Sequence, residues 1–110
     1  MNFQHIVVLI TVPSVEVGKE IADHLLAQRL AACVNIIPSI HSHYLWQGEQ
    51  ASDEEVLLLV KSRAEYFQER LVPAVKAVHP YEVPEIIALP VVMGSADYLG
   101  WIDQEVESYS

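Results

Sequence analysis

The segment 79–85 places an imidazole, a phenol and two carboxylates within seven residues, His-Pro-Tyr-Glu-Val-Pro-Glu. Pro80 and Pro84 each push the preceding residue towards extended geometry, so this backbone is stiffened covalently. A rigid loop that carries such groups suits a preorganised site. His79 could hold a metal ion or shuttle a proton near neutral pH. The alternative is a plain helix-to-strand connection, in which the prolines stop the helix and His79 caps its last carbonyls.

Two further groups of residue types could bind a transition metal. Cys33 precedes a strand that we predict to be buried, where a cysteine is either a small core residue or a soft thiolate ligand for Cu(I). His41 and His43 share one face of a predicted strand, with their side chains about 6–7 Å apart. They could chelate a metal if a third ligand converged on them, although exposed strands also carry histidines that bind nothing.

No residue pattern points to a recognised catalytic machinery. The sequence contains no CxxC pair, no glycine-rich phosphate loop and no Ser-His-Asp arrangement. Catalysis with His79 as a general base beside Glu82 or Glu85 would lack a nucleophile and an oxyanion hole, so we expect a protein that is not an enzyme. Five aromatic residues could line a pocket or surround a subunit interface. These are Tyr44, Trp46, Tyr81, Tyr98 and Trp101.

Composition limits the class of ligand. Fifteen acidic residues against six basic ones give a formal net charge of -9, and the basic residues are scattered, which disfavours nucleic acids. Cations are the natural ligands of such a surface, although the charge could equally serve only to keep an apolar oligomer soluble. The hydrophobic fraction of 52% in 110 residues exceeds what one small core needs. We therefore expect self-association.

The location predicted from the sequence is the cytoplasm. The single cysteine, Cys33, excludes an intrachain disulfide framework and fits a reducing compartment. The first residues lack the features of a signal peptide, and no apolar run reaches the roughly 20 residues that span a bilayer. We expect no membrane partner.

Apolar periodicity predicts the elements that must position these residues. Residues 6–10 form a continuous apolar run, typical of a strand buried on both faces, which Pro13 ends. Ser14 is a plausible N-cap for an amphipathic helix of roughly three to four turns. A long strand then runs from about residue 32 to residue 46, and Pro38 should lie at a bulge or an edge within it.

The second half of the chain predicts a hairpin, a broken helix, a last strand and a short helix. A polar turn over residues 47–52 and a buried strand over residues 56–60 predict a hairpin, with the acidic run 53–55 as a solvated strand entry. Ser62 and Glu65 have the spacing of a capping box, and Pro73 should kink or break the helix that follows. Residues 85–89 form a last strand, and a short helix holds Tyr98 and Ile102.

The order β-α-β-β-α-β with a C-terminal helix predicts an α+β fold of the ferredoxin-like sandwich type, as one domain over residues 1–110. Both main helices would cover one face of the sheet. The other face would need a partner, which again indicates an oligomer.

Five ordered motifs resemble those of the CutA divalent-cation tolerance family. They are Leu-Ala-Ala-Cys-Val-Asn at residues 30–35, Ser-His-Tyr-Leu-Trp at 42–46 with Gly48, the strand 55–61, the segment 79–90 and Tyr-Leu-x-Trp at 98–101. The resemblance covers nearly the whole chain. It implies a ferredoxin-like homotrimer similar in plan to the PII signalling proteins, and a function in tolerance of copper and other divalent metals.

The resemblance also implies a cleft between subunits. As metal ligands in that cleft it indicates His79, Glu85 and Cys33, with a divalent or copper ion bound weakly. The resemblance implies that a second set of residues lines the cleft or binds a ligand there. These are Tyr44, Trp46, Lys61, Tyr81 and Trp101. The alternative function is a PII-like regulatory trimer, in which Lys61 binds a small anionic metabolite between the aromatic walls.

The chain departs from the family pattern at two positions. Some members carry a cysteine where this chain has Ile10, and some carry a second histidine where it has Val78. Of such a Cys/His/His set only His79 is present. His41 and His43 are outside the family pattern and inherit no role from it.

Overall fold

The computed structural model describes residues 3–106, so both ends of the predicted domain lie outside the described residues. Four strands form one sheet: β1 (His5–Val12), β2 (Cys33–Trp46), β3 (Glu49–Arg63) and β4 (Ile86–Pro90). Three α-helices accompany them: α1 (Val15–Ala27), α2 (Val72–Val78) and α3 (Ala96–Glu105). None of the helices within residues 3–106 is long and apolar enough to cross a membrane.

The sheet has the order β2-β3-β1-β4, and every neighbouring pair is antiparallel. With α1 joining β1 to β2 and the second helical region joining β3 to β4, this is the order of the split-βαβ, ferredoxin-like sandwich. The predicted α+β fold class is confirmed. Strand β1 therefore lies in the middle of the sheet, between β3 and β4.

One face of the sheet packs against the helices to form the core. Strand β1 alternates strictly, with Ile6, Val8, Ile10 and Val12 buried towards α1 and α2. The expectation that both faces of this strand are buried is wrong within one chain, because its odd-numbered side chains are only half-buried. Of these side chains, His5 bonds to Asp103 of α3.

Helix α1 forms as its sequence predicts. Its 13 residues follow Ser14, whose Oγ accepts a hydrogen bond from the backbone N–H of Val17 at 3.2 Å. This cap satisfies one of the N–H groups that the first turn leaves without a helical partner. Ile21 and Leu25 are fully buried, so the apolar stripe of the helix faces the sheet.

The β2–β3 hairpin is longer than predicted. Gln47 and Gly48 both have positive φ, 52° and 83°, which is the two-residue turn that suits a hairpin, so β3 begins at Glu49. The predicted six-residue turn and the strand start near residue 56 are therefore wrong. The predicted irregularity at Pro38 is confirmed, since the register shifts between Ile37 and Ile40.

Part of this hairpin extends beyond the rest of the sheet. Strand β1 pairs with β3 only from Val56 to Arg63, so residues 40–46 and 49–55 pair only with each other. We call this two-stranded part the hairpin arm. Two-stranded ribbons are only marginally stable alone in water. The arm therefore gains from packing on another surface.

The second helical region is divided into three pieces. A 3₁₀ turn (Ala64–Tyr66) and a π-helical turn (Phe67–Leu71) precede α2. Pro73 lies in the first turn of α2, directly after the π-helical turn, so the predicted break is confirmed. The predicted capping box is wrong, because Ser62 is still in β3 and its buried Oγ donates to the Leu30 carbonyl at 2.6 Å.

The second face of the sheet carries apolar side chains that no helix of the core covers. Leu9 lies opposite both Leu59 and Ile87 in register, and Leu57 and Leu89 extend the row on the same face. Ile87 and Leu89 are about half exposed. We call these five residues the open face. At its end, α3 is attached through Asp103, which accepts hydrogen bonds from His5 and Arg63.

Replacing Ser62 by alanine tests the role that the structure assigns to it. Ser62→Ala removes the buried donor to the Leu30 carbonyl, and we expect a loss of about 1–3 kcal/mol in the free energy of unfolding. Glu65→Ala is the control. Its carboxylate accepts from Arg63 in an exposed pair, so its loss should cost less than about 1 kcal/mol. Equal costs in urea unfolding would favour the capping box instead.

Candidate functional site

A cavity of about 800 Å³ lies where the central strand ends. Beyond Val12, β3 continues into the hairpin arm, while the segment 79–85 approaches β4 on the other side. The cavity occupies the gap between them, and Thr11 contributes to its lining. Its position follows from the unequal lengths of neighbouring strands.

Four carboxylates line this cavity. Asp53 and Glu55 come from the arm, and Glu82 and Glu85 from the segment that enters β4. Among the described residues that line it there is no lysine or arginine. Such a cavity has a negative potential that attracts cations and repels anions. The acidic surface that the sequence predicts to suit cations is therefore located at this cavity.

Two phenol–carboxylate pairs lie in the cavity: Tyr81–Glu55 joins the opposite wall to the arm, and Tyr44–Asp53 lies within the arm. The Tyr81 hydroxyl donates to the Glu55 carboxylate at 2.7 Å, and the Tyr44 hydroxyl donates to Asp53. Glu55 is only 8% exposed, so the interpretation of residues 53–55 as a solvated strand entry is wrong for it. These acidic residues were missed as site residues. The available signal was their two-residue spacing, which places both on the face of the hairpin that also carries Ser42 and Tyr44.

The carboxylates hold both phenols in the neutral form. The pKa of Tyr81 is raised well above the ordinary value of 10.0 by burial first, and then by its hydrogen bond to Glu55 and the nearby charges. The pKa of Tyr44 is raised chiefly by its hydrogen bond to Asp53. Each phenolate would bring a further negative charge beside two carboxylates, which is unfavourable.

His79 is held in place through both ring nitrogens. Its Nδ1 accepts from the Tyr81 backbone N–H at 3.1 Å, so the proton is assigned to Nε2, which donates to the Thr11 carbonyl at 2.8 Å. The ring is 8% exposed. In this arrangement neither nitrogen has a free lone pair for a metal ion. The side chain also does not cap its own helix, since it binds the end of β1.

The predicted cleft residues fall into two separate groups within one chain. Tyr44, Trp46, Tyr81 and Glu85 line the cavity, and His79 lies directly behind Tyr81. The others, which we call the distal group, lie outside its lining; they are Cys33, Lys61 and Trp101. Cys33 and Lys61 are partners in register, six residues further along β3 than Glu55, or roughly 20 Å.

The distal group has contacts of its own. Lys61 Nζ donates to the Asn35 side-chain oxygen. The rings of Tyr98 and Trp101 are in contact, with their centroids 5.6 Å apart. The pKa of Tyr98 is raised by burial and by Cys33, which places the thiol near α3. Cys33 is half-buried, which makes it neither a full core residue nor a freely exposed thiol.

The donor types around the cavity suit a divalent metal ion, but their placement in one chain does not. Carboxylate oxygens and the imidazoles of His41 and His43, which also line the cavity, are common ligands of such ions. Within residues 3–106, however, no three His, Cys, Asp or Glu side chains are placed to hold a metal together. No third ligand converges on the His41–His43 pair in this part of the chain.

Comparison with known proteins identifies the family. The sequence profile described as CutA1 divalent ion tolerance protein matches residues 6–105. The chain belongs to this family. The divalent-cation tolerance protein CutA of Thermus thermophilus is 56% identical over 96 residues, which cover 87% of this chain and 92% of that protein. The predicted family membership is confirmed.

A solved structure and a human relative extend this result. The structure of the divalent cation tolerance protein Cut A1 from Thermus thermophilus aligns with a TM-score of 0.90 and 52% identity, covering 94% of this chain and 99% of that one. Human protein CutA is 50% identical over 105 residues, or 92% of this chain. The chain spans only about half the length of the mouse, rice, human and Arabidopsis CutA proteins. The description of the family names tolerance of divalent ions.

The phenol–carboxylate pair predicts how stability depends on alkaline pH. Because the Tyr81 pKa is raised in the folded protein, the unfolded chain releases this proton first as the pH passes 10.0. The contribution of this pKa difference to the free energy of unfolding is fully present below pH 10.0 and is lost as the pH rises above it. Tyr81→Phe should therefore lose stability less steeply above pH 10.0, as measured by urea unfolding across this range.

Tyr66→Phe serves as the control, since it removes a hydroxyl from a ring outside the cavity lining. Absorbance at alkaline pH should show one fewer late-titrating tyrosine in Tyr81→Phe. Identical pH dependences in the wild type and Tyr81→Phe would contradict the pairing of Tyr81 with Glu55.

Proposed function

We propose that this CutA1-family chain forms a homotrimer that binds divalent metal ions, copper among them, in clefts between subunits, and so contributes to tolerance of these ions. The observation that carries the proposal is the cavity with four carboxylates and, among its described lining residues, no basic side chain. We further propose a cytoplasmic location, on the basis of the single cysteine in the chain.

Self-association is supported by two features of the single chain. The open face leaves Ile87 and Leu89 about half exposed beside a row of leucines. Burial of apolar area is the main driving force for obligate association. The hairpin arm is the second feature, because a two-stranded ribbon with exposed Tyr44, Leu45 and Trp46 gains from packing against another subunit.

A neighbouring subunit would also complete the cleft. The cavity and the distal group are roughly 20 Å apart along β3, so one chain cannot bring them together. A neighbour that presents its distal group to the cavity would add a Cys33 thiol to the carboxylate of Glu85. His79 would join them as a ligand through Nδ1 only if the bond from the Tyr81 N–H broke, while Nε2 could still donate to the Thr11 carbonyl.

The alternative function, binding of a small anionic metabolite, has less support. An anion in the cavity would face the carboxylates of Asp53, Glu55, Glu82 and Glu85. The lysine predicted to bind it, Lys61, is hydrogen-bonded to Asn35 outside the cavity of its own chain. Only a neighbouring Lys61 could then neutralise the anion.

A charge on the open face tests the assembly. Leu59→Glu places a carboxylate at the middle of this face, and we expect the trimer to dissociate because burying an unpaired charge costs several kcal/mol. Light scattering coupled to size-exclusion chromatography measures the mass. Leu26→Glu, on the outer side of α1, is the matched control and should leave the trimer intact. A monomeric wild-type protein would refute the assembly.

Metal binding is tested by calorimetry with Cu²⁺, Zn²⁺ and, under reducing conditions, Cu⁺. Glu85→Gln should weaken binding roughly tenfold or more, because even the partners of metal ligands contribute that much. Cys33→Ser should weaken Cu⁺ more than Zn²⁺, since thiolate is the preferred ligand of Cu⁺. Glu20→Gln removes an equal charge from the exposed side of α1 and is the control.

His79→Ala tests the remaining predicted ligand. A loss of metal affinity in a variant that keeps the wild-type melting temperature would support direct coordination by His79. A loss of both would point to its structural bonds. Unchanged affinity in Glu85→Gln, Cys33→Ser and His79→Ala alike would overturn the proposed ligand set.

A further inference from the structure

We infer that Ser39 is the positioning residue of the hairpin arm: it holds the β-bulge at residues 38–39, and this bulge decides which face of the arm carries Tyr44 and Trp46. This role rests on the proposed function in one respect, since the arm forms one wall of the proposed cleft. Three features within a single chain support it, namely the strand register, one backbone angle and one hydrogen bond.

The bulge lies at the root of the arm. Ile37 lies opposite Leu57 and Ile40 lies opposite Glu55, so β2 advances by three residues while β3 advances by two. Two residues of one strand opposite one residue of the other define a β-bulge, which bends the strand and increases its twist. The pairing of β3 with β1 ends at the same level. The bulge therefore sets the direction in which the arm leaves the sheet.

The bulge also determines which side chains of the arm share a face. Tyr44 lies opposite Ala51, two residues from Asp53 on β3, so Tyr44 and Asp53 point to the same side. If β2 continued without a bulge in the register that it has before Pro38, Tyr44 would lie opposite Gln50 instead. A slip of one residue turns every side chain of a strand to the other face. The Tyr44–Asp53 hydrogen bond therefore depends on the bulged register.

Ser39 adopts the backbone conformation of such a bulge. Its φ is 65°, in the left-handed region. One common type of bulge has a residue in this region, and that residue is usually glycine, because a Cβ atom there approaches the following carbonyl oxygen. A serine in this conformation is strained and persists only where its surroundings hold it. Pro38 beside it has no N–H, so it leaves no ladder donor unpaired.

A hydrogen bond holds Ser39 in this conformation. Its Oγ donates to Glu54 Oε1 at 2.7 Å, from β2 to β3. A hydroxyl bonded to a carboxylate makes a stronger hydrogen bond than two neutral groups do. Glu54 lies between Asp53 and Glu55, the two residues that accept from the phenols. Ser39 is thus bonded to the part of β3 that carries both acceptors.

The test uses substitutions that separate the backbone angle of Ser39 from its hydrogen bond. Ser39→Gly loses the hydroxyl but readily adopts a positive φ, so we expect it to keep the bulge. Ser39→Val also loses the hydroxyl, and its branched Cβ disfavours a positive φ. It should shift the equilibrium towards the bulge-free register about tenfold. Ser52→Val, the same substitution at a regular position of β3, is the matched control.

Two measurements on the full chain, both in EDTA, report the register. NMR at neutral pH detects contacts between the backbones of Tyr44 and Ala51, which Ser39→Val should lose in favour of contacts with Gln50. Absorbance at alkaline pH counts the tyrosines that titrate late. Ser39→Val should show one fewer than Ser39→Gly, because the hydrogen bond to Asp53 raises the pKa of Tyr44. Ser39→Gly and Ser52→Val should match the wild type in both measurements.

The hydrogen bond is tested separately from its acceptor. Glu54→Ala removes the acceptor, whereas Glu54→Gln keeps a carbonyl oxygen that can accept from Ser39. Glu54→Ala should shift the register in the same direction as Ser39→Val, by about fivefold, and Glu54→Gln should keep the wild-type contacts. Both change only a side chain at a regular strand position, so they decide the question if circular dichroism shows that Ser39→Val does not fold.

Three results would overturn the role of Ser39. One is a Ser39→Val variant with wild-type contacts and titration, and another is loss of the bulge in Ser39→Gly or Ser52→Val. The third is an equal effect of Glu54→Ala and Glu54→Gln, which would mean that the hydrogen bond does not hold the bulge. Because all readouts are contacts within one chain without metal, a wild-type protein that bound no metal would refute the proposed function and leave these outcomes unchanged.

Discussion

The early end of the central strand is the constraint on which the rest of the site depends. Strand β1 stops at Val12, where Pro13 follows, while β3 on one side runs on into the hairpin arm. The backbone carbonyl of Thr11 near this end is bound by His79, whose other ring nitrogen holds the backbone of Tyr81. His79 thus holds the segment 79–85 against the end of β1. The cavity lies between this segment and the hairpin arm.

Two of the four carboxylates in the cavity are each matched by a phenol. Glu55 is buried, but its carboxylate accepts a hydrogen bond from Tyr81, and Asp53 is matched in the same way by Tyr44. Hydrogen bonds to the ionised form stabilise a carboxylate, whereas a lysine partner would have cancelled its charge. The cavity therefore keeps a net negative potential, which is what a site for cations requires and a site for anions does not.

Within one chain, strand β3 keeps two groups of the predicted cleft residues apart. Cys33 and Lys61 face each other at the far end of β3, whereas Glu55 lies beside the cavity. The family resemblance groups these residues into one site, but a single chain separates them by the length of the strand between them. One chain alone therefore does not bring these residues into a single site.

The sequence by itself determined the fold class, the N-cap at Ser14, the bulge near Pro38 and the family, because these depend on local periodicity and on motifs in fixed order. The predictions for the start of β3 and for the role of Ser62 were wrong. Polar residues are equally compatible with a turn, a helix cap or an exposed hairpin arm, and only strand pairing distinguishes these. Only the tertiary structure decided that Glu55 is buried and that both nitrogens of His79 are occupied. The bond between Tyr81 and Glu55 joins residues 26 positions apart and that between His79 and Thr11 joins residues 68 positions apart, which no local pattern encodes.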